Sequence, residues 1–178
     1  MVTAAAAYQA AAATPDPELP MVTVADLGIL RAVELAGGQV TVTIAPTYSG
    51  CPAMAEISAG ITGRLRRAGF DRVTVRTQLA PPWSSDWITA AGRRKLAAAG
   101  IAPPSPAPPG QRGPPAGQAG GRPGPVPLPL APGPPDSPRC PRCGTARTRR
   151  TAQFGATACT SLHRCDECGE PFEAVKPL

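Results

Sequence analysis

Six cysteines and a single histidine are the side chains of this 178-residue chain best suited to chemistry, and four of the cysteines form a pattern. Two residues separate Cys140 from Cys143, and two separate Cys165 from Cys168, and a glycine follows each pair (Gly144 and Gly169). The two-residue gap lets both thiolates of a pair face one metal ion, and the glycine lets the backbone turn its amides toward the sulfurs. Four thiolates leave no open coordination position, which suits a structural zinc better than a catalytic one. Spacing alone also admits iron on the same ligands, as a rubredoxin-like centre or an iron–sulfur cluster. Two disulfides are a further reading, but they need an oxidising compartment, and the opening segment lacks the basic n-region of a secretory signal. Cys159 and His163 lie between the pairs. With four ligands already present, Cys159 reads as a spare thiol and a candidate for transient metal contact, and His163 as a surface residue.

Cys51 stands apart, in IAPTYSGCPAM, after an expected strand and at the start of an expected helix. With Ser49 or Gly50 as N-cap, the amides of the first turn would face its sulfur and lower the thiol pKa, favouring the thiolate that binds metal. The lone histidine is far along the chain, so a Cys–His hydrolase pair cannot form within this region. The readings that remain are a buried inert cysteine and a thiol that handles iron or a cluster. Asp16 and Glu18 in PDPELP, and Asp26 before Leu27-Gly28, are able to line a site, although turn and cap roles come first. Trp83 and Trp87, four residues apart, form a packing patch or a partner-binding surface.

The elements that position these residues follow from period and punctuation. RAVELAGGQVTVTIAP is a hairpin, with Val33 and Leu35 on one strand, Val40, Val42 and Ile44 on the next, and Gly37-Gly38 at the turn. Met54, Ile57, Ile61 and Leu65 then recur at helical spacing, with Pro52 in the first turn and Gly69 at the end. Val73, Val75 and Leu79 mark a third strand, and a short helix near residues 90–99 closes at Gly100. An Ala-rich helix over residues 4–13 precedes them. The expected fold is α/β, an α+β sandwich with a β-β-α-β core and flanking helices, followed by a small zinc-ribbon β module.

Composition sets the boundaries. Of the 25 prolines and 19 glycines, 15 and 7 fall between Ala102 and Pro138, a stretch in which only Val126, Leu128 and Leu130 are large and apolar. Such a segment reads as an extended linker. Residues 1–101 then form the α/β domain, with its core from about residue 14. Residues 102–138 form the linker and residues 139–178 the ribbon, whose metal supplies the folding energy its small core cannot. The net charge of +6 is spread along the chain and not gathered into the patch expected of a nucleic-acid binder. No apolar run approaches the roughly 20 residues that cross a bilayer.

PDPELPMVTVADLGILRAVE, the hairpin and TIAPTYSGCPAM together resemble the SufT-like iron–sulfur cluster assembly domain. PPWSSDWITAAGRRKLAAAGIAPP and CPRCG…FGATACTSLHRCDECGEPFEAVKP narrow the resemblance to the PaaD family, accessory proteins of the bacterial phenylacetyl-CoA epoxidase (phenylacetate-CoA oxygenase) system. The long Pro/Gly segment departs from that family's compact pattern. The resemblance implies a cytoplasmic protein of aerobic phenylacetate degradation that is not itself an enzyme. Its partners would be the oxygenase and reductase subunits, and its role iron–sulfur insertion into the reductase. A non-catalytic structural subunit is the alternative. The resemblance makes Cys51 the assembly-domain cysteine for transient iron or cluster. It makes Asp16 and Glu18 the acidic turn and Asp26 part of the following motif, residues able to line a site, and Cys140, Cys143, Cys165 and Cys168 the ribbon thiolates that hold structural zinc.

Overall fold

The computed structural model describes residues 3–48, 50–104 and 137–177. Ser49, Val126, Leu128, Leu130 and most of the expected linker lie outside the described residues. Helix α1 (Ala4–Ala12) opens on Thr3, whose hydroxyl accepts the Ala6 N–H at 3.1 Å. Ala7 and Ala11, four residues apart, are its buried pair. Strands β1 (Leu30–Ala36) and β2 (Gln39–Ile44) form the expected antiparallel hairpin, with Gly37 and Gly38 at φ 54° and 75° in its turn. Those positive angles match the twist that a two-residue hairpin loop needs.

Helix α2 (Met54–Arg67) buries Ile57, Ile61 and Leu65 and crosses back to β3 (Arg72–Thr77), which pairs parallel to β2. The sheet order is therefore β1-β2-β3. Val40, Val42 and Ile44 alternate inward from the middle strand and share one core with α1 and α2. Leu79 lies past the end of β3 and is exposed, so the third strand is shorter than the alternation implied. Helix α3 (Ala90–Ala98) starts at Thr89, whose hydroxyl caps the Gly92 N–H at 2.9 Å. Gly92 packs so closely on the Asp26 carbonyl that a Cβ there would come within 2.6 Å of its oxygen.

The second sheet is built from β4 (Ile101–Ala102), β5 (Thr148–Ala152), β6 (Thr160–Cys165) and β7 (Pro171–Val175), in the order β4-β7-β6-β5. β5, β6 and β7 run antiparallel as a ribbon, but β4 comes from before the linker and pairs parallel to β7. Ala102, expected to open the linker, is thus a strand residue packed among Cys140, Cys165, Phe172 and Ala174. In exchange, Val175 of the ribbon belongs to the core of the α/β domain. The architecture is the expected α/β domain followed by a β ribbon, with one strand crossing between them.

Candidate functional site: a four-cysteine centre and a cysteine–carboxylate cavity

The ribbon cysteines come from two backbone knuckles. The Gly144 N–H donates to Cys140 O at 2.8 Å and the Gly169 N–H to Cys165 O at 3.1 Å, with both glycines at φ 75°. Each knuckle so closed turns its pair of thiols to the same side. All four Sγ atoms lie within 4.8 Å of one another, with Cys140 to Cys168 at 3.7 Å and Cys143 to Cys165 at 3.6 Å. Four sulfurs placed tetrahedrally at zinc–sulfur bonds of about 2.3 Å would stand about 3.8 Å apart, so the set is of the size that closes on one metal ion.

The Cys168 N–H, 3.4 Å from the Cys165 sulfur, is the main reason that thiol is pulled down to about 7. The Cys143 thiol gains a lowering contact from the Thr145 N–H, yet burial and its neighbouring thiols push it up to about 12. Such a divided set needs a cation to hold all four sulfurs ionised. Outside the ligands, Arg142 pairs with Glu170 and Arg147 with Glu167, each at 2.6 Å, and Arg149 pairs with Asp166, tying one knuckle and its flanks to the other.

His163 is buried and not on the surface as its isolation suggested. Its ring stacks on Phe172 with centroids 5.6 Å apart, and Nε2 lies 3.0 Å from Ser161 Oγ. Strand parity explains this. Cys165 must face the metal, so Ser161 and His163 on the same strand face inward with it, while Leu162 and Arg164 face out.

The second site forms where the ribbon meets the α/β domain. Asp16 lies in the turn after α1, its Oδ1 accepting the N–H groups of Glu18 at 2.9 Å and Leu19 at 2.8 Å. That turn places Asp16 and Glu18 beside Cys51, and all three line one cavity of about 20 Å3 with apolar walls that include Leu27, Ile29 and Trp83. Trp83 is fixed there by its indole N–H, which donates to Leu27 O at 2.9 Å. Cys159 lines the same cavity. Its thiol lies 3.0 Å from Thr157 Oγ1 and donates to Glu18 Oε2 at 3.7 Å, a contact across 141 residues of sequence.

The electrostatics of Cys51 differ from the sequence expectation. Helix α2 begins at Met54 with Ala53 as its N-cap and no side-chain cap, so Cys51 precedes the helix and Gly50 does not cap it. Burial pushes the Cys51 thiol up, the Ala53 N–H and Thr47 oppose this, and the Glu18 and Asp16 charges add to the rise. Burial likewise drives Cys159 to about 11, with the same two carboxylates adding to it. Asp16 itself is raised, first by burial. Asp26 does not line the cavity; its Oδ2 accepts the N–H and hydroxyl of Thr23 and pairs with Lys95 at 2.6 Å. Trp87 is turned away from Trp83's role, with the Arg31 guanidinium 3.4 Å above its ring.

Two family models match this chain. Residues 5–76 match the model described as iron-sulfur cluster assembly protein, and residues 128–176 match the PaaD zinc beta ribbon domain. The fold and site thus define an assembly-type α/β domain joined to a four-cysteine, metal-binding beta ribbon. An Escherichia coli (strain K12) protein, described as a putative subunit of 1,2-phenylacetyl-CoA epoxidase, is 37% identical over 162 residues, covering 91% of this chain and 86% of that one. The chain belongs to the same family as that protein, the PaaD family.

Two solved structures are also similar. A domain of unknown function from Bacillus anthracis is 24% identical over 52% of this chain and 90% of that one, with a TM-score of 0.49. A Mycobacterium tuberculosis protein associated with Fe-S complex assembly and repair is 30% identical over 53% and 82% of the two chains, with a TM-score of 0.31. Among the described residues no helix is long and apolar enough to cross a membrane.

Proposed function

We propose that the chain is a maturation factor of the phenylacetyl-CoA epoxidase system, a cytoplasmic protein without turnover of its own. It receives iron or an iron–sulfur cluster at Cys51 and passes it to the system's reductase component. The observation that carries this reading is the placement of the Cys51 thiol with Asp16 and Glu18 around one small cavity, inside the segment that matches the iron-sulfur cluster assembly family. A thiol flanked by carboxylates, half-buried and without a histidine base, is poorly equipped for acyl transfer and well equipped to hold a thiophilic cation.

The thiol's raised pKa fits transient loading: without a cation the thiol stays protonated, and a cation bound beside the carboxylates favours the thiolate. Iron or the cluster is cargo in this scheme. Zinc on Cys140, Cys143, Cys165 and Cys168 is structural and holds the ribbon in the shape that meets the client.

Replacement Cys51→Ser tests the proposal directly. The iron and sulfide content of the partner reductase, purified from cells carrying the variant, is expected to fall well below wild type. Unchanged content would end the maturation reading. The E. coli relative is named as a subunit of the epoxidase, which supports a second reading, a stable non-catalytic member of the oxygenase complex. Stoichiometric co-purification with the oxygenase, indifferent to Cys51→Ser, is the outcome that second reading requires.

A further inference from the structure

We infer that Cys159 is the second thiolate of the Cys51 site, so that the ribbon and the α/β domain complete one binding site for a single thiophilic divalent ion between them, with Glu18 as its carboxylate ligand. The inference rests on the reading of Cys51 as a metal-handling thiol, and it assigns a job to a cysteine that the four-thiolate centre leaves unused.

Three observations carry it. First, the two sulfurs and both carboxylates line the same cavity, although they come from three separate parts of the chain, and only the Cys159–Glu18 contact is already close, so an ion would have to draw Cys51 in to meet it. The Asp16–Glu18 turn and Cys51 belong to the α/β domain, while Cys159 arrives on the loop between β5 and β6. Second, that loop is held in place and does not merely drift near. The Lys176 N–H donates to Cys159 O at 2.9 Å, the Gly155 N–H to Thr160 O at 3.0 Å, and Lys176 Nζ to Ala158 O at 2.7 Å. Gly155 itself allows close approach, since a Cβ there would fall 2.4 Å from Thr160 Oγ1 and 3.0 Å from the Glu173 carboxylate.

Third, the charge is one-sided. Among the described residues no lysine or arginine is ion-paired with Asp16 or Glu18. Lys176 reaches the cavity wall, but its ammonium is engaged by Ala158 O and by the Phe154 ring at 4.0 Å. Asp16 keeps its two backbone N–H donors and Glu18 the Cys159 thiol, so both carboxylates are held in place at the cavity and neither is neutralised by a cation, which leaves them open to a divalent ion.

The donor chemistry selects the ion class. Two sulfurs and a carboxylate oxygen suit iron(II), zinc or cobalt(II) and not the oxygen-seeking calcium or magnesium. The cavity of about 20 Å3 has room for one such ion. Binding would form two metal–sulfur bonds and one metal–oxygen bond, with both thiol protons leaving to water and no electron transferred.

Cobalt(II) is the probe, added anaerobically to the full chain with its ribbon already zinc-loaded. Two measurements follow it: the sulfur-to-cobalt charge-transfer absorption, and the alkylation rate of each cysteine by mass spectrometry. The expected result is that cobalt slows alkylation of Cys51 and Cys159 together while zinc content stays at one per chain. Cys159→Ser is expected to weaken cobalt binding by at least about tenfold and to remove about half of the charge-transfer intensity, as loss of one of two thiolates requires.

The inference is overturned if cobalt shields Cys51 while Cys159 alkylates at its metal-free rate, or if Cys159→Ser binds cobalt as wild type does. In either case the Cys51 reading survives. If cobalt shields neither cysteine and Cys51→Ser changes nothing, both readings fall. Because alkylation is read on the unaltered chain, the test does not depend on the variant folding.

Discussion

Asp26 illustrates how a single carboxylate is claimed by structure before it can serve a site. Burial raises its pKa, but the Lys95 ammonium and the Thr23 N–H and hydroxyl outweigh that and hold it below the usual carboxylate value of 3.8. The folded pKa lies below the unfolded one, so the resulting stability is complete above about pH 4 and is lost as pH falls through the folded value. Asp26→Asn is therefore expected to lower stability near neutral pH by about 1–3 kcal/mol, the worth of a hydrogen bond to a charged group. It should also flatten the acid limb of the stability curve. Trp83 and Trp87 are the chain's two tryptophans and both lie in the α/β domain, so their fluorescence during urea unfolding at several pH values checks both effects. A variant with the wild-type acid limb would show that Asp26 is not held by these partners. Cys51 and Cys159 are the contrasting case. Their surroundings disfavour the anion until a cation arrives, which is the behaviour wanted of a site that loads and unloads.

The ribbon strands have only a small apolar core of their own. Cys140 and Cys165 are buried with Ala102, Phe172 and Ala174 in a small cluster, while Phe154 and Leu162 are exposed. Apolar burial on this scale cannot offset the ordering of some forty residues, each costing about 1–2 kcal/mol of backbone entropy. Metal binding is then folding energy for β5, β6 and β7. Cys143→Ser, or a strong chelator applied to wild type, is expected to release one zinc per chain and to abolish amide-exchange protection across β6 and β7. Protection in α2 and β2 should persist, because Ile57, Ile61, Leu65, Val40, Val42 and Ile44 pack without the ribbon cysteines. Retained protection in β6 after zinc release would mean the ribbon has a sufficient core of its own. The surface pairs Arg142–Glu170 and Arg147–Glu167 are solvent-exposed and add little to this balance.

At the scale of the molecule, the two modules exchange residues: Ala102 enters the ribbon cluster and Val175 enters the α/β core. The β4–β7 pairing, Ile101 with Glu173 and Ala102 with Ala174, joins them through backbone. Their stabilities should therefore be linked, since anything that binds or orders one element favours the state of its partner. Val175→Ala is expected to lower the α/β domain's stability by about 1–3 kcal/mol through the cavity it leaves. Zinc removal should shift the tryptophan unfolding transition in the same direction, although neither tryptophan belongs to the ribbon. An unfolding midpoint that ignores both changes would show the modules to be independent. The same docking puts Cys159 against Glu18, so the link between modules and the proposed transfer site are one feature.

Much was legible in sequence because it depends on neighbours along the chain. The alternation of Val40, Val42 and Ile44, the helical spacing of Ile57, Ile61 and Leu65, and the turn at Gly37-Gly38 each encode an element through local geometry. The two-residue gap in each cysteine pair fixes a knuckle in the same way. The burial of His163 was within reach as well, through its strand parity with Cys165. The start of α2 is not written locally, because a cap depends on one residue's dihedral angles and Ala53 carries no side-chain signal for it.

What only the tertiary structure decided is the meeting of distant segments. No period or motif relates Glu18 to Cys159, or Ala102 to Ala174. Those contacts arise when two apolar surfaces close on each other, and burial is indifferent to separation along the chain. The sequence by itself determined a four-thiolate ribbon and an α/β domain with one exposed question at Cys51. The packing of one on the other gave that cysteine its companions.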